Sequence, residues 1–318
     1  MTTTETPSDE RSTAVPDGGS AQPDAGSGAA IKAKLGRYGI WTDVFDAVPA
    51  GEIERIAASV EVAGFGGLWI PEVTAGREAS TLATLLLAST GDLVVGNGIQ
   101  KMSGRPAVAA ASASRLLADQ FPDRHVLGLG VGPLKPVDGT PLRFAEDYLA
   151  TMDTAPFRHP VERVPFRLLA AYGPGMLGLA ARLTAGAMTY AVPLSHTAFA
   201  RSAIGPASYL CVEQAVVYEA DPTAARAIAR EHLDIYFRTP FNRAKFVRLG
   251  YTEQDMADGG SDALVDDLVA WGTADAVTER LEGQFAAGAD HVVVNVLGES
   301  GDRLTRRWTE MGRQLTTH

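Results

Sequence analysis

From Leu35 onward the chain alternates short runs of β-branched, aliphatic or aromatic residues with longer amphipathic runs. Eight runs read as strands: Arg37–Trp41, Gly67–Pro71, Leu93–Ile99, His125–Val131, Phe166–Ala171, Ala187–Val192, Leu210–Tyr218 and His291–Leu297. Between them apolar residues recur at helical spacing, as at Ile53, Ile56, Ala57 and Val60, and again at Val277, Leu281 and Phe285. Two of these helices predict the same ending, Ala63-Gly64 and Ala287-Gly288, because glycine past a helix end takes the left-handed conformation cheaply. Asp221-Pro222 reads as an N-cap with proline at the first helical position.

Runs such as Val292-Val293-Val294 and Val126-Leu127-Gly128-Leu129 are apolar on both faces, as expected of parallel strands covered by helices. Eight β/α pairs in roughly 260 residues predict an α/β fold, a single (β/α)8 barrel. An open doubly wound sheet is the rival, but its entry turn, Gly-x-Gly-x-x-Gly, does not follow the first strand, which runs on as Trp41-Thr42-Asp43. Phe237 to Ser261 is the least regular span and reads as an insertion before the helix that precedes the last strand.

Composition sharpens this picture at the N-terminus. Residues 1–30 hold no Leu, Ile or aromatic residue, and five acids against one base give them −4 of the chain's net −10. Such a stretch cannot bury enough apolar surface to offset its ordering entropy, so it reads as a disordered acidic tail, without the basic start and apolar run of a signal peptide. Residues 31–318 then form one barrel domain. The acidic balance disfavours nucleic acid as a partner, and no apolar run is long enough to span a membrane. One cysteine, Cys211, allows no internal disulfide and fits a cytoplasmic protein.

Chemistry in such a barrel is expected at the C-terminal ends of the strands. No His, Asp or Glu set there has metal-ligand spacing, and no lysine ends a strand core, so neither a metal centre nor a Schiff base is expected. Gly173-Pro174-Gly175-Met176, between a strand and a helix, offers amides to a phosphate or is a plain tight turn. Asn97-Gly98-Ile99-Gln100 is either a close backbone approach to a planar ring or a ligand-free bulge. Glu72 is a candidate for proton transfer, or else pairs with Arg77 or another base. His196 reads as solvated, with Ser195 capping its helix; Glu213 as an early strand residue on the face that serves stability; Lys135 as a solvated loop lysine that could also neutralise an anionic cofactor. His125, His159, His232 and His291 read as structural.

Four segments together resemble the luciferase-like flavin or deazaflavin-dependent oxidoreductases, nearest to the actinobacterial coenzyme F-420-dependent group. They are Gly66–Glu72; Arg105-Pro106-Ala107 through Phe121 to Gly132; Ala170–Met176; and Gly272–Val277 through Gly288 to Val293. The resemblance implies a luciferase-like (β/α)8 barrel whose third strand ends in a bulge, often a non-proline cis peptide, that supports the cofactor ring. It places the phosphate at the turn after the fifth strand, and gives a cofactor set of Trp41, Asn97, Gly98, Ile99, Gly130, Val131, Gly132, Gly173, Pro174, Gly175 and Met176. The implied cofactor is coenzyme F-420, with FMN as the alternative; the implied reaction is hydride transfer to or from a small organic substrate, or monooxygenation with FMN. A homodimer and a small-molecule substrate are the implied partners. The family's sugar-phosphate dehydrogenases carry an acid-histidine pair after the second strand, where this chain has Glu72-Val73, so that substrate class does not transfer. That departure also keeps open a non-catalytic flavin-binding barrel.

Overall fold

The computed structural model describes residues 25–135, 138–159 and 163–316. The strands are β1 (Tyr38–Trp41), β2 (Gly67–Ile70), β3 (Val94–Asn97), β4 (Gln100–Lys101), β5 (His125–Gly130), β6 (Phe166–Ala170), β7 (Gly186–Thr189), β8 (Tyr209–Val217), β9 (Val269–Trp271) and β10 (His291–Val296). Every pairing is parallel, and β10 pairs with both β1 and β8, which closes the sheet on itself. The wall is therefore an eight-stranded barrel of β1, β2, β3, β5, β6, β7, β8 and β10, as the apolar runs predict. β4 resumes the line of β3 after a break and pairs with β5, while β9 adds to the far end of β8, Ala215 facing Val269.

Alternate strand positions fill two separate spaces. Trp69, Val94, Val126, Leu168, Met188, Cys211 and Val293 pack together inside the barrel, with Ile31 and Leu35 of helix Ala25–Leu35 closing this cluster. That helix begins within the span expected to be a tail; residues 1–24 lie outside the described residues. The intervening positions, among them Ile40, Leu68, Val95, Leu127, Leu169, Val212 and Val294, face the helix layer. Helix Ile53–Val62 buries the four apolar residues its spacing singles out. Gly64 and Gly288 take φ +89° and +108°, and Asp221 caps its helix by accepting from the Ala224 amide at 2.8 Å.

The expected insertion is more ordered than its sequence pattern. Residues 237–261 carry helix Pro240–Arg248 and a 3-10 turn, followed by helix Asp262–Leu268 and β9. Phe237, Phe246, Met256, Leu264, Val265 and Leu268 bury together with Ala225, Ala229 and Leu233 of helix Pro222–Arg238 and with Ala215 and Val217 of β8, so the segment is seated on the barrel wall through a shared cluster.

Candidate functional site

The C-terminal strand ends gather most of the residues singled out above. Between β3 and β4 the peptide Gly98–Ile99 is cis, at the position where the resemblance implies a bulge. Trp41 at the end of β1 donates its Nε1–H to the Gly98 carbonyl at 2.9 Å, Gly98 N–H donates to Ile70 O at 2.7 Å, and Glu72 N–H to Ile99 O at 3.0 Å. The break is thus held from three sides. It also needs two glycines on β5: a Cβ at Gly128 would lie 1.9 Å from the Asn97 carbonyl oxygen, and one at Gly130 would lie 2.5 Å from Ile99 Cδ1. Asn97 is buried, and its side chain meets His125 Nε2 at 3.1 Å. Val131 accepts from the Ser103 amide, and Gly132 turns with φ +72°.

Glu72 is committed to its surroundings. One carboxylate oxygen accepts from Arg105 at 2.7 Å and the other from the Lys101 amide at 2.7 Å. Arg105 also pairs with Glu78. The base that pairs with Glu72 is therefore Arg105 and not Arg77, whose guanidinium donates to Val48 O. At the end of β6, Gly173 is the extended N-cap of helix Pro174–Leu183, with proline first and no side chain capping the end. The Gly175 and Met176 amides belong to the first turn, where no backbone carbonyl of the helix can reach them. A Cβ at Gly173 would meet nothing within 4 Å, so space stands beside this end. These residues fit an anionic group with a planar ring: uncapped amides for the anion, and the Trp41-braced peptide for the ring. Lys135 is exposed and its amide donates to Asp138.

Two of the sequence expectations are corrected here. His196 is not solvated and Ser195 does not cap: the helix Leu194–Ile204 has Pro193 as N-cap, and the His196 ring is buried with Nε2 at 3.0 Å from Tyr172 O. Burial lowers its pKa, opposed by the Tyr172 carbonyl and reinforced by the charge of Lys245. Glu213 is not an early strand residue on a stability face. It sits midway along β8 and is 5% exposed, its carboxylate accepting from Asn295 Nδ2 at 3.0 Å and Ala191 N–H at 3.4 Å. Burial raises its pKa against those hydrogen bonds and Lys245.

Glu213 belongs to a cluster the sequence pattern does not reveal. Lys245, from insertion helix Pro240–Arg248, is 2% exposed and donates to Ala191 O at 3.0 Å and Tyr190 O at 3.3 Å. Its nitrogen lies 4.8 Å from the Tyr172 ring centre, 4.7 Å from Tyr190 and 5.8 Å from Tyr236. Ala191 has φ +45°, a region a non-glycine residue enters only when its surroundings force it. Its N–H serves Glu213 while its carbonyl serves Lys245. A lysine in an irregular span carries no sequence signal for such a role. Among the described residues no group of three His, Cys, Asp or Glu could hold a metal, and no helix is long and apolar enough to cross a membrane.

Residues 29–154 match the luciferase-like monooxygenase family. No curated protein matches the sequence. The solved structures similar to this chain include a coenzyme F420-dependent tetrahydromethanopterin reductase from Methanopyrus kandleri, with TM-score 0.70 and 16% identity over 89% of this chain and 99% of that one. An F420-dependent secondary alcohol dehydrogenase, solved with an F420-acetone adduct, gives TM-score 0.67 and 13% identity over 88% and 98%. The oxygenating constituent of 3,6-diketocamphane monooxygenase from Pseudomonas putida, solved with FMN, gives 0.68 and 14% over 88% and 97%. At such identities the likeness is one of architecture. With the closed barrel described above, it gives this chain the fold of a luciferase-like (β/α)8 barrel.

Proposed function

We propose that the protein is a two-electron oxidoreductase that binds a deazaflavin of the F-420 type and moves a hydride to or from a small organic substrate. The observation that carries this reading is the break in β3 at Gly98–Ile99, braced by Trp41, in a barrel whose structural relatives include enzymes of both F420 and FMN chemistry. The bound ring would supply the hydride chemistry. The protein's part is to seat the ring against Gly98–Ile99 and the Gly130–Gly132 edge, and to hold the phosphate on the Gly175 and Met176 amides with the positive end of the helix dipole. FMN at the same seat is the second reading, favoured by the FMN-bound structural relative.

Titration of the purified protein with coenzyme F-420 and with FMN, followed by fluorescence, separates the readings. F-420 is expected to bind and to support turnover with a panel of ketones and enones. Binding of FMN alone, with oxygen uptake, moves the assignment to a monooxygenase, and binding without turnover moves it to a non-catalytic barrel. No binding of either sinks the proposal. Gly175→Leu carries a side chain into the phosphate seat beside Leu142, whose Cδ2 stands 3.4 Å from a Cβ at this position. It is expected to weaken cofactor binding at least tenfold, or about 1.4 kcal/mol, and unchanged affinity places the phosphate elsewhere.

Glu72 lies on the same rim, paired with Arg105. If it carries a proton transfer, Glu72→Gln slows turnover and leaves cofactor affinity nearly unchanged. If affinity falls in step with rate, the residue serves instead to anchor Arg105 and the Lys101 amide.

A further inference from the structure

Lys245 is a buried charge set among aromatic rings, Phe246 at 4.5 Å included. Its nitrogen makes two hydrogen bonds, both to backbone carbonyls, and no ion pair among the described residues. An ammonium carries three donors, so one N–H is left over among the tyrosine rings. The Tyr172 hydroxyl is buried, and the group it meets is the Tyr190 hydroxyl, in a contact too loose to count as a full hydrogen bond, with ring centres 5.4 Å apart. Buried donors left without a firm acceptor are costly and rare. Tyr172 directly precedes the Gly173–Met176 turn, which puts this pair next to the proposed phosphate seat.

We propose that the third N–H of Lys245 and the Tyr172 hydroxyl receive the oxygen of a carbonyl substrate, and that Lys245 is its proton donor. The proposal rests on the hydride-transfer reading above. The bound deazaflavin or flavin would supply the hydride for the new C–H bond, and the carbonyl π bond would break with its electron pair moving to oxygen. There the O–H bond forms as the Lys245 N–H bond breaks, leaving a neutral amine that regains its proton from water. In the reverse direction the amine takes the proton of an alcohol. Glu213 acts as a positioning residue: its carboxylate fixes the Ala191 amide, and the Ala191 carbonyl holds Lys245.

The groups that face Lys245 are Glu213 on β8, Tyr172 after β6, Tyr190 after β7, Tyr236 on helix Pro222–Arg238 and His196 on helix Leu194–Ile204. Burial outweighs the attraction of Glu213 and brings the lysine down to about 7. A donor is most effective when it titrates near the working pH.

Two measurements test this. Turnover of the ketone panel is followed against pH in Lys245→Met, Lys245→Arg and Tyr172→Phe. Lys245→Met is expected to lose about 10²-fold or more in kcat at unchanged cofactor affinity. Lys245→Arg keeps the charge but holds its proton too tightly, so the limb of the pH profile near 7 should vanish. Tyr172→Phe removes only the hydroxyl and should raise KM for the ketone. Wild-type rates and an intact limb in the lysine variants overturn the proposal. Separately, 13C-lysine NMR of the cofactor-free protein is expected to show one signal, absent in Lys245→Met, that titrates near pH 7. A midpoint near the ordinary lysine value overturns the proposal whatever the cofactor. Failure to bind either cofactor overturns the hydride reading, and because the titration is read apart from turnover the two failures are distinguishable.

Discussion

Gly128→Ala is expected to cost about 3 kcal/mol or more of stability and to abolish cofactor binding in the same step. The new methyl would lie 1.9 Å from the Asn97 carbonyl oxygen and 3.1 Å from its carbonyl carbon. Neither atom is the end of a flexible side chain; both are backbone of the broken strand, and the neighbouring Gly98 amide is tied to Ile70 O at 2.7 Å. Relief therefore requires β3 and β5 to part, and overpacking resolved through backbone shifts costs up to ~3 kcal/mol and at times more. At ~2–4 °C per kcal/mol for a domain approaching this size, the thermal midpoint should fall by roughly 6–12 °C. The ring seat moves with the strand, since Trp41 is bonded to the Gly98 carbonyl. Gly173→Ala is the matched control: its Cβ meets nothing within 4 Å at φ −86°, so the midpoint should hold nearly constant. Equal midpoints for Gly128→Ala and wild type would remove the close approach of β5 to the break.

Acid should unfold the barrel early, beginning below pH 6.5. His125 and His291 are buried neutral, and burial holds each down to about 4 from an ordinary 6.5. His125 is held neutral by burial alone, whereas the hydrogen bonds of His291 require the neutral ring: its Nδ1–H donates to Gly36 O at 3.0 Å while Nε2 accepts from Trp69 Nε1 at 3.1 Å. A protonated ring would turn N–H against N–H. Between pH 6.5 and 4 the unfolded chain binds the protons that the folded chain refuses, so stability is complete above 6.5 and is lost as pH falls. A shift of that size is worth about 3 kcal/mol for each histidine. Glu213, raised by burial, binds its proton earlier in the fold and offsets part of the loss. Glu78 is held near 2 because bonds from Thr81, Ser80 and Arg105 outweigh its burial, and it adds to the loss only below about 4.5. Urea midpoints measured from pH 7 to 4.5 should therefore drop, and His291→Gln should flatten the slope while lowering stability at pH 7. A midpoint constant across that range would contradict the buried-neutral assignment.

The barrel was legible in the sequence because its cause is local. A parallel strand covered on both faces must be an aliphatic run, and Val292–Val294 or Val126–Leu129 have no other soluble use. Helix ends at Gly64 and Gly288 were legible for the same reason, a backbone angle that glycine adopts most cheaply. What escaped depends on which segments meet. Arg77 is nearer to Glu72 in the chain, yet Arg105 reaches it because the segment after β4 returns to the rim. His196 is buried by the Tyr172 carbonyl of a different strand end, and period alone cannot say so. Glu213 could be placed on a strand but not at a depth, since its partners Asn295 and Ala191 come from β10 and the end of β7. Lys245 was least accessible of all: an exposed and a buried lysine look alike until the helix that carries one is set over an aromatic floor.

The seating of the insertion has a consequence for how this protein can change. Its apolar residues form one cluster with the β8 wall and helix Pro222–Arg238, distinct from the cluster packed inside the barrel. Substitutions at its exposed positions, such as Val247, can therefore accumulate without reaching the barrel interior, whereas Asn242 and Lys245 are tied to the end of β7. The barrel interior evolves under one constraint, the exposed side of the insertion under another. If the proposed hydride chemistry holds, a lineage could exchange the reactants it accepts by rewriting part of the insertion while the strand ends stay inherited.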